Sequence, residues 1–466
     1  MEKGINMFDA KIYTQRRNRL KRQLKSGIVL FLGNDDTPMN YPANPYHFRQ
    51  DSSFLYFFGL DSYGLAGIVD IDERKDILFG DDVTMEDIVW MGSQPLLKKR
   101  AAAVGVKETA PFGQLEETLK RVVQQGRKIH FLPPYRPENK QKISQLLGIR
   151  LDLIKDYVSK DLIKAVVEQR SIKIKEEIAE MEFAHAVTYD MYMNALKMCK
   201  AGVYEREIVG KMDGIALSAG CQMAFPVIFS INGQILHNHY HGNKLKKGRL
   251  VVADSGAESP MHYAADITRT FPVNGKFTEK QKEIYSIVLE VQETAIKAIK
   301  PGVKYRNIHL KAAKTTFIRL KELGLMKGDV EEGVKAGAHA LFFPHGLGHH
   351  IGLDVHDMED YGEDYVGYDA NTLRSDQFGL AYLRLAKKLQ PGYVVTVEPG
   401  IYFIPDLIDK WIAEKKHKQY INYKKVNEYR DFGGLRIEDD IVVTEKGHHV
   451  LGKGIPKTID DVEQVT

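Results

Sequence analysis

The chain has 466 residues, is 43% hydrophobic and 27% charged, and carries a formal net charge of +4. That length allows about two or three domains, and the small charge imbalance gives no reason to expect a nucleic-acid partner. Only Cys199 and Cys221 are present and no apolar run approaches the ~20 residues that span a bilayer, which excludes a disulfide framework and a membrane helix and leads us to expect a cytoplasmic, reducing setting.

The opening MEKGINMFDAKIY lacks an apolar leader core and carries Glu2 and Asp9, so no targeting peptide is expected. In the basic run RRNRLKRQLK (16–25), Leu20 and Leu24 are four apart, which predicts an amphipathic helix with its cations solvated. SGIVLFLG (26–33) and GLAGIVDI (64–71) read as buried strands bounded by glycine. LEETLKRVVQQG (115–126) reads as a helix stopped by glycine, and KIHFLPP (128–134) as the next strand. The alternation predicts an α/β amino-terminal domain over 1–171 that ends in a helix around KDLIKAVVEQRSIKIKEE.

Long helical patterns follow at 173–202 and 206–220, and Thr278 with Gln281 forms a capping box for a helix that ends before Pro301–Gly302. Around these helices lie β-rich stretches: RLVVADSG, ADITRTFPV, YVVTVEPGIYF and GLRIEDDIVVTEKG. KKGRLVVAD and LQPGYVVTVE each run from a turn glycine through a β-branched strand to an acid, Gly248 to Asp254 and Gly392 to Glu398, which hints at two related halves.

HGLGHHIGLDVHD (345–357) holds four of the sixteen histidines. By itself it could be a buried polar knot, a metal site or a row of proton carriers. Its partners lie elsewhere. Asp254 ends one expected strand and Asp266 opens the next, so a hairpin would bring both to one ion. Glu398 follows the β-branched run VVTV, while Glu438, Asp439 and Asp440 stand beside apolar strand residues. Arg436 and Glu438, two apart, share a strand face, and a structural ion pair is one reading of them. Carboxylates on apolar strands repel one another and need cations to be buried. Four of them carry about −4, which two divalent ions would roughly neutralise. An oxygen-rich set with one imidazole suits Mn²⁺, Co²⁺ or Mg²⁺ better than a thiolate-rich zinc centre does, and paired ions make hydrolysis the expected chemistry. His237, His239 and His241 alternate in HNHYHG and read either as a three-histidine zinc site or as loop residues.

ADITRTFPVNGKFT, HGLGHHIGLDVHD, LQPGYVVTVEPGIYF and LRIEDDIVVT together resemble, in order and spacing, the pita-bread metallopeptidases over most of residues 172–450. The resemblance implies an α+β catalytic domain with pseudo-twofold halves at 172–452, followed by a tail at 453–466. It also implies two divalent ions per chain, commonly Mn²⁺, with Co²⁺, Zn²⁺ or Mg²⁺ as alternatives. The implied ligands are Asp254, Asp266, His349, Glu398 and Glu438, with Asp266 and Glu438 as bridges. His345 and His356 match histidines that hold substrate and move protons, His237 matches a substrate-side histidine, and His350 matches a packing position.

FRQDSSFLYFFGL (48–60) and WMGSQPLLKKRAAAVGV (90–106) resemble the amino-terminal domain of the aminopeptidase P subfamily, the creatinase/aminopeptidase P type. That subfamily removes the first residue from peptides whose second residue is proline, a bond whose imide nitrogen has no hydrogen. The implied mechanism is attack by a metal-bridging hydroxide, with Glu398 as general base, His356 stabilising the oxyanion and Arg436 orienting Glu438. The first domain would control substrate access and oligomerisation, as a homodimer or homotetramer. Prolidase, restricted to Xaa-Pro dipeptides, and a non-enzymatic peptide-binding module are the alternative readings. Three departures stand out. Asp254 and Asp266 are twelve apart rather than eleven, and the segments 358–385 and 404–432 are longer than the usual connections. Both segments are expected near the cleft mouth, limiting access.

Overall fold

The computed structural model describes residues 7–465, so the first six residues of the expected leaderless start lie outside it. Two compact units are present: residues through Arg170 with Asp360–Tyr365, and Ser171–Glu359 with Val366 onward.

The first unit is built on a five-stranded mixed sheet in the order Glu108–Ala110, Lys75–Phe79, Ala66–Asp70, Ile28–Leu32, Ile129–His130. Alternation of side chains along Ile28–Leu32 sorts its two faces. Ile28, Leu30 and Leu32 pack with Leu115, Leu119 and Val122 of the helix Leu115–Gln124, while Phe31 meets Phe57 and Phe58 of the helix Ser52–Phe58. The basic run departs from expectation. It lies on the helix Ala10–Gln23, but Arg17 is fully buried and donates to the carbonyls of Phe57 at 2.7 Å and Val104 at 2.9 Å and to Asp76 at 3.0 Å. Arg16 is also buried, 3.8 Å over the Tyr56 ring. Helical spacing showed which residues share a face. It could not show that a guanidinium had carbonyls waiting for it.

The expected helix across 160–177 is in fact two, Lys160–Arg170 and Lys175–Met198, and the short break lies where the units divide. In the second unit, two helix pairs repeat one design: Lys175–Met198 with Glu205–Ser218, and Glu279–Ala298 with Tyr305–Glu322. The Thr278–Gln281 capping box is present. The turns that join the pairs are stitched alike. Gly202 donates to Leu245 at 2.9 Å and Gly302 to Leu389 at 2.8 Å, and each of those leucines donates back to a valine, Val203 or Val303. From Leu245 and Leu389 the chain enters Leu250–Ser255 and Val394–Val397, the two strands of the sequence echo. Leu250–Ser255 lies between Ile228–Ser230 and Ile267–Pro272, and Asp439–Val443 lies between Val394–Val397 and His448–Val450. One continuous apolar core joins helices and strands.

The described part of the segment 453–466 packs on the rest of its unit. Within its described part, Lys457 pairs with buried Asp439 at 2.6 Å and Val462 is buried on the helix Ile459–Val465. Its polar composition concealed partners that are distant in sequence. No helix among the described residues is long and apolar enough to cross a membrane.

Candidate metal centre

Strand ends and strand breaks deliver the acids. Asp254, in Leu250–Ser255, pairs in register with Thr268 and with Ile228. Asp266 immediately precedes Ile267–Pro272. The link between the two aspartates is more than a turn, since Ala257–Glu258 pairs with Gln222–Met223 and His262 reverses the chain at φ 67°. Gly256 is required there, because a Cβ would lie 1.7 Å from the Ala265 carbonyl oxygen. Glu398 stands at the break between Val394–Val397 and Gly400–Tyr402, and Glu438 just before Asp439–Val443, across a break from Gly434–Arg436. Each break frees a carboxylate from the sheet's alternation while its backbone N–H stays bonded, Glu398 to Leu347 at 2.9 Å and Glu438 to Thr268 at 3.0 Å. Gly348 brings the histidine stretch against the same strand: a Cβ would lie 2.1 Å from the Thr396 carbonyl oxygen.

These elements bring the five expected residues to one cavity of about 630 Å³. Asp266, His349 and Glu438 place ligand atoms within 4.8 Å of one another. The Nε2 of His349 is 3.5 Å from Asp266 and 3.6 Å from Glu398. Its Nδ1 is 3.0 Å from the His350 carbonyl, which must accept. The tautomer is thereby fixed, and the Nε2 lone pair faces the acids. Asp254 turns its Oδ2 toward Arg436 Nη2.

Burial raises the carboxyls of Asp266 and Glu438 well above the usual range, and the neighbouring acids add to the rise. Burial also pushes Glu398 up to about 7, against the pull of Arg436. Asp254 Oδ1 and Glu438 Oε1 are buried with no hydrogen-bond partner. Buried oxygens without donors, on crowded carboxylates beside one neutral imidazole, are the donor set of a divalent-cation site. The residues present therefore fit such a group.

The three consecutive acids separate by partner. Glu438 faces the cavity, Asp439 pairs with Arg269 and Lys457, and Asp440 accepts from the Asp266 N–H at 2.9 Å and lies 2.9 Å from His185. Arg436 is within ion-pair range of Glu438 but bonds other groups more closely. It bonds Asp254, Thr268 at 3.0 Å and Tyr402 at 2.9 Å, and is 4.0 Å from Glu438, whose own bond is from Thr268 at 2.6 Å. Sharing a strand face places two side chains together, but the break before Asp439 redirects Glu438 to the threonine.

His345 lines the cavity, yet both of its ring nitrogens have protein partners, the Gly346 carbonyl at 2.8 Å and Tyr402 OH at 3.0 Å. Its ring is thereby fixed on the cavity wall, with Nδ1 3.9 Å from Glu398. His356 stacks edge-on to His349 with ring centroids 4.3 Å apart. His350 is buried against Tyr393. His237 and His239 both line the cavity from a loop, while His241 bonds the Val227 carbonyl at 3.0 Å, so the three do not form one site. The segment 358–385 contributes Tyr382 and Arg384 to the lining. The segment 404–432 contributes nothing to it: Trp411 and Val426 are in the core and Tyr429 stacks on Phe403. Its apolar residues were a packing signal that its length obscured. Sequence reading also missed Tyr402, Thr268, Thr396 and Glu359. Glu359 is held down to about 2, first by its bond to His356.

Comparison with known proteins accords with this geometry. Residues 179–445 match metallopeptidase family M24, and residues 13–130 match the aminopeptidase P amino-terminal domain. The human Xaa-Pro dipeptidase is 31% identical over 97% of this chain and 92% of its own length. A probable Xaa-Pro aminopeptidase of Metarhizium robertsii is 31% identical over 98% of this chain and 97% of its own. Among solved structures, a glutamate-to-alanine variant of Escherichia coli aminopeptidase P in complex with substrate superposes with a TM-score of 0.81 at 28% identity, covering 99% of this chain and 98% of that one. Proline aminopeptidase P II from Yersinia pestis gives the same score and identity, over 98% and 99%. An amino-terminal domain of that type, a pita-bread unit with duplicated halves and a cation-ready carboxylate cavity make this chain a member of metallopeptidase family M24, an enzyme of the aminopeptidase P type.

Proposed function

We propose that the chain is a metal-dependent Xaa-Pro aminopeptidase that releases the first residue from peptides with proline in second position. The observation that carries the reading is the meeting of Asp254, Asp266, Glu398 and Glu438 with the free Nε2 of His349 in one cavity. At about 630 Å³ it lies within the ~300–1,000 Å³ of small-molecule sites and leaves room for chain beyond proline.

Those five residues would hold two divalent ions, Mn²⁺ first and Co²⁺, Zn²⁺ or Mg²⁺ as alternatives, which when bound supply Lewis-acid polarisation of the scissile carbonyl. The chain's own groups do the rest. Glu398 is the general base, its carboxylate facing the cavity 3.6 Å from His349 Nε2 at the break between two strands. His356, with Nδ1 engaged, presents Nε2 to the developing oxyanion. Arg436 and Tyr402 hold Asp254 and His345 in place, and His345 faces the substrate from the cavity wall. His237 meets the substrate at the cavity's exposed edge.

Prolidase is the second reading, favoured by the dipeptidase relative at equal identity. Manganese-loaded protein given Xaa-Pro and Xaa-Pro-Yaa separates the two. Release of Xaa from the tripeptide supports the proposal, and cleavage of the dipeptide alone would replace it with prolidase. The domain roles proposed are catalysis at 172–452 and, for 1–171, substrate access and assembly into a homodimer or homotetramer. Exposed Trp90, Val89 and Met85 on the helix Met85–Met91 support the assembly role, which light scattering would test. A cytoplasmic setting is in keeping with two buried, unpaired cysteines.

A further inference from the structure

His356 has a partner that none of the motifs foretold. Its Nδ1 lies 2.5 Å from Oε2 of Glu359, and the other oxygen of the same carboxylate accepts from Nε of Arg384 at 3.2 Å. His356 and Arg384 line the cavity while Glu359 stands behind them. The local backbone is arranged for this. Met358 is buried in the left-handed region at φ 64°, which a non-glycine residue rarely adopts. The Glu359 N–H then bonds the His356 carbonyl at 3.1 Å, closing a turn that folds the carboxylate back over the ring. The three side chains are 32%, 44% and 35% exposed, so solvent screens the ion pairs and they contribute little to stability. Left-handed backbone spent on so weak a stabiliser calls for another purpose.

We propose that Glu359 is a positioning residue, whose single carboxylate clamps His356 and Arg384 side by side on the cleft wall. Accepting from Nδ1–H, it sets the His356 tautomer and turns Nε2 toward the cavity; accepting from Arg384 Nε, it fixes the plane of the guanidinium. This rests on the peptidase reading given above.

The test compares parent, Glu359→Ala, Glu359→Gln and Glu359→Asp as full-length, manganese-loaded protein on one Xaa-Pro-Yaa peptide, with crystal structures of parent and Glu359→Ala. In Glu359→Ala, kcat should fall about 10- to 100-fold, the scale of a misplaced catalytic group, with metal content and melting temperature unchanged. Glu359→Gln, which keeps one acceptor oxygen, and Glu359→Asp should recover part of the loss. Adding Glu359→Ala to a variant carrying both His356→Ala and Arg384→Ala should cost less than threefold more, and the crystal structure should show the His356 ring turned from its parental orientation. A kcat within twofold of the parent, a loss that multiplies in the background lacking both His356 and Arg384 side chains, or an unmoved ring overturns the inference and leaves the peptidase reading standing. A parent that cleaves no Xaa-Pro-Yaa peptide overturns that reading instead, and the ring orientation still decides the positioning.

Discussion

Removing the carboxylate of Asp357 should destabilise the second unit strongly while touching no proposed ligand. Asp357 accepts from Lys173 Nζ at 2.8 Å, and both side chains are only 1% exposed. At that separation and an effective dielectric of ~20 the attraction is about 6 kcal/mol, much of it offset by desolvation of both charges. Truncating one partner strands the other charge, which costs about 3–5 kcal/mol. At roughly 2–4 °C per kcal/mol for a unit of this size, Asp357→Ala should melt about 6–20 °C below the parent by circular dichroism. Lys173→Met combined with Asp357→Leu removes both charges and should recover most of the loss, because an apolar replacement of a buried pair is close to neutral. A drop under 2 °C for Asp357→Ala, or a double variant as unstable as the two single losses added together, would refute the reasoning.

Removing metal should lower the melting temperature, because the orphaned oxygens of Asp254 and Glu438 lose their partner. At a hundred times Kd, ligand stabilises by about 2.7 kcal/mol, so chelation against Mn²⁺ addition should shift the transition by several degrees, and an unchanged transition would count against the site. His309 and His339 are buried, their ring nitrogens lack hydrogen-bond partners, and burial holds them down to about 3 and about 4. The unfolded chain takes up these protons near pH 6.5 and the folded one does not, so their stabilisation is complete above 6.5 and is lost as pH falls toward 4. At pH 5.5 the pair should have lost about 3 kcal/mol, and His309→Gln with His339→Gln should flatten the slope of denaturation midpoints between pH 7.5 and 5.5. Gly348→Ala drives a Cβ into the Thr396 carbonyl and shifts His349; a displacement on the order of 1 Å predicts about a 100-fold fall in kcat/KM, and activity within threefold of the parent would contradict it.

Legibility followed range. The apolar run at 26–33 bounded by glycines, the Thr278 cap and the glycine stops are local rules, and the elements they predict are present. The four carboxylates could be read because acids after β-branched runs are costly without a cation, and their joint presence in the histidine motif's cavity follows from the duplicated strands. What stayed hidden depended on partners far along the chain. The solvated reading of Arg17 failed because its acceptors are at Phe57, Asp76 and Val104, and the bond from Lys457 to Asp439 likewise had no local signal. Arg436 lies within ion-pair range of Glu438, as the strand spacing suggested, but its closer bond to Asp254 had no signal in the sequence, since periodicity says nothing about which carboxylate a guanidinium turns to. Glu359 was invisible for a different reason: its role depends on a left-handed residue, Met358, that no glycine announces.

The central claim is Xaa-Pro aminopeptidase chemistry at the carboxylate cavity. Its most direct test is the rate of amino-terminal residue release from matched Xaa-Pro-Yaa and Xaa-Ala-Yaa peptides by the manganese-loaded chain. The account predicts release from the proline peptide, little from the alanine peptide, and a fall of at least about 100-fold in Glu398→Ala. Equal release from both peptides, or a Glu398→Ala rate equal to the parent's, would contradict it.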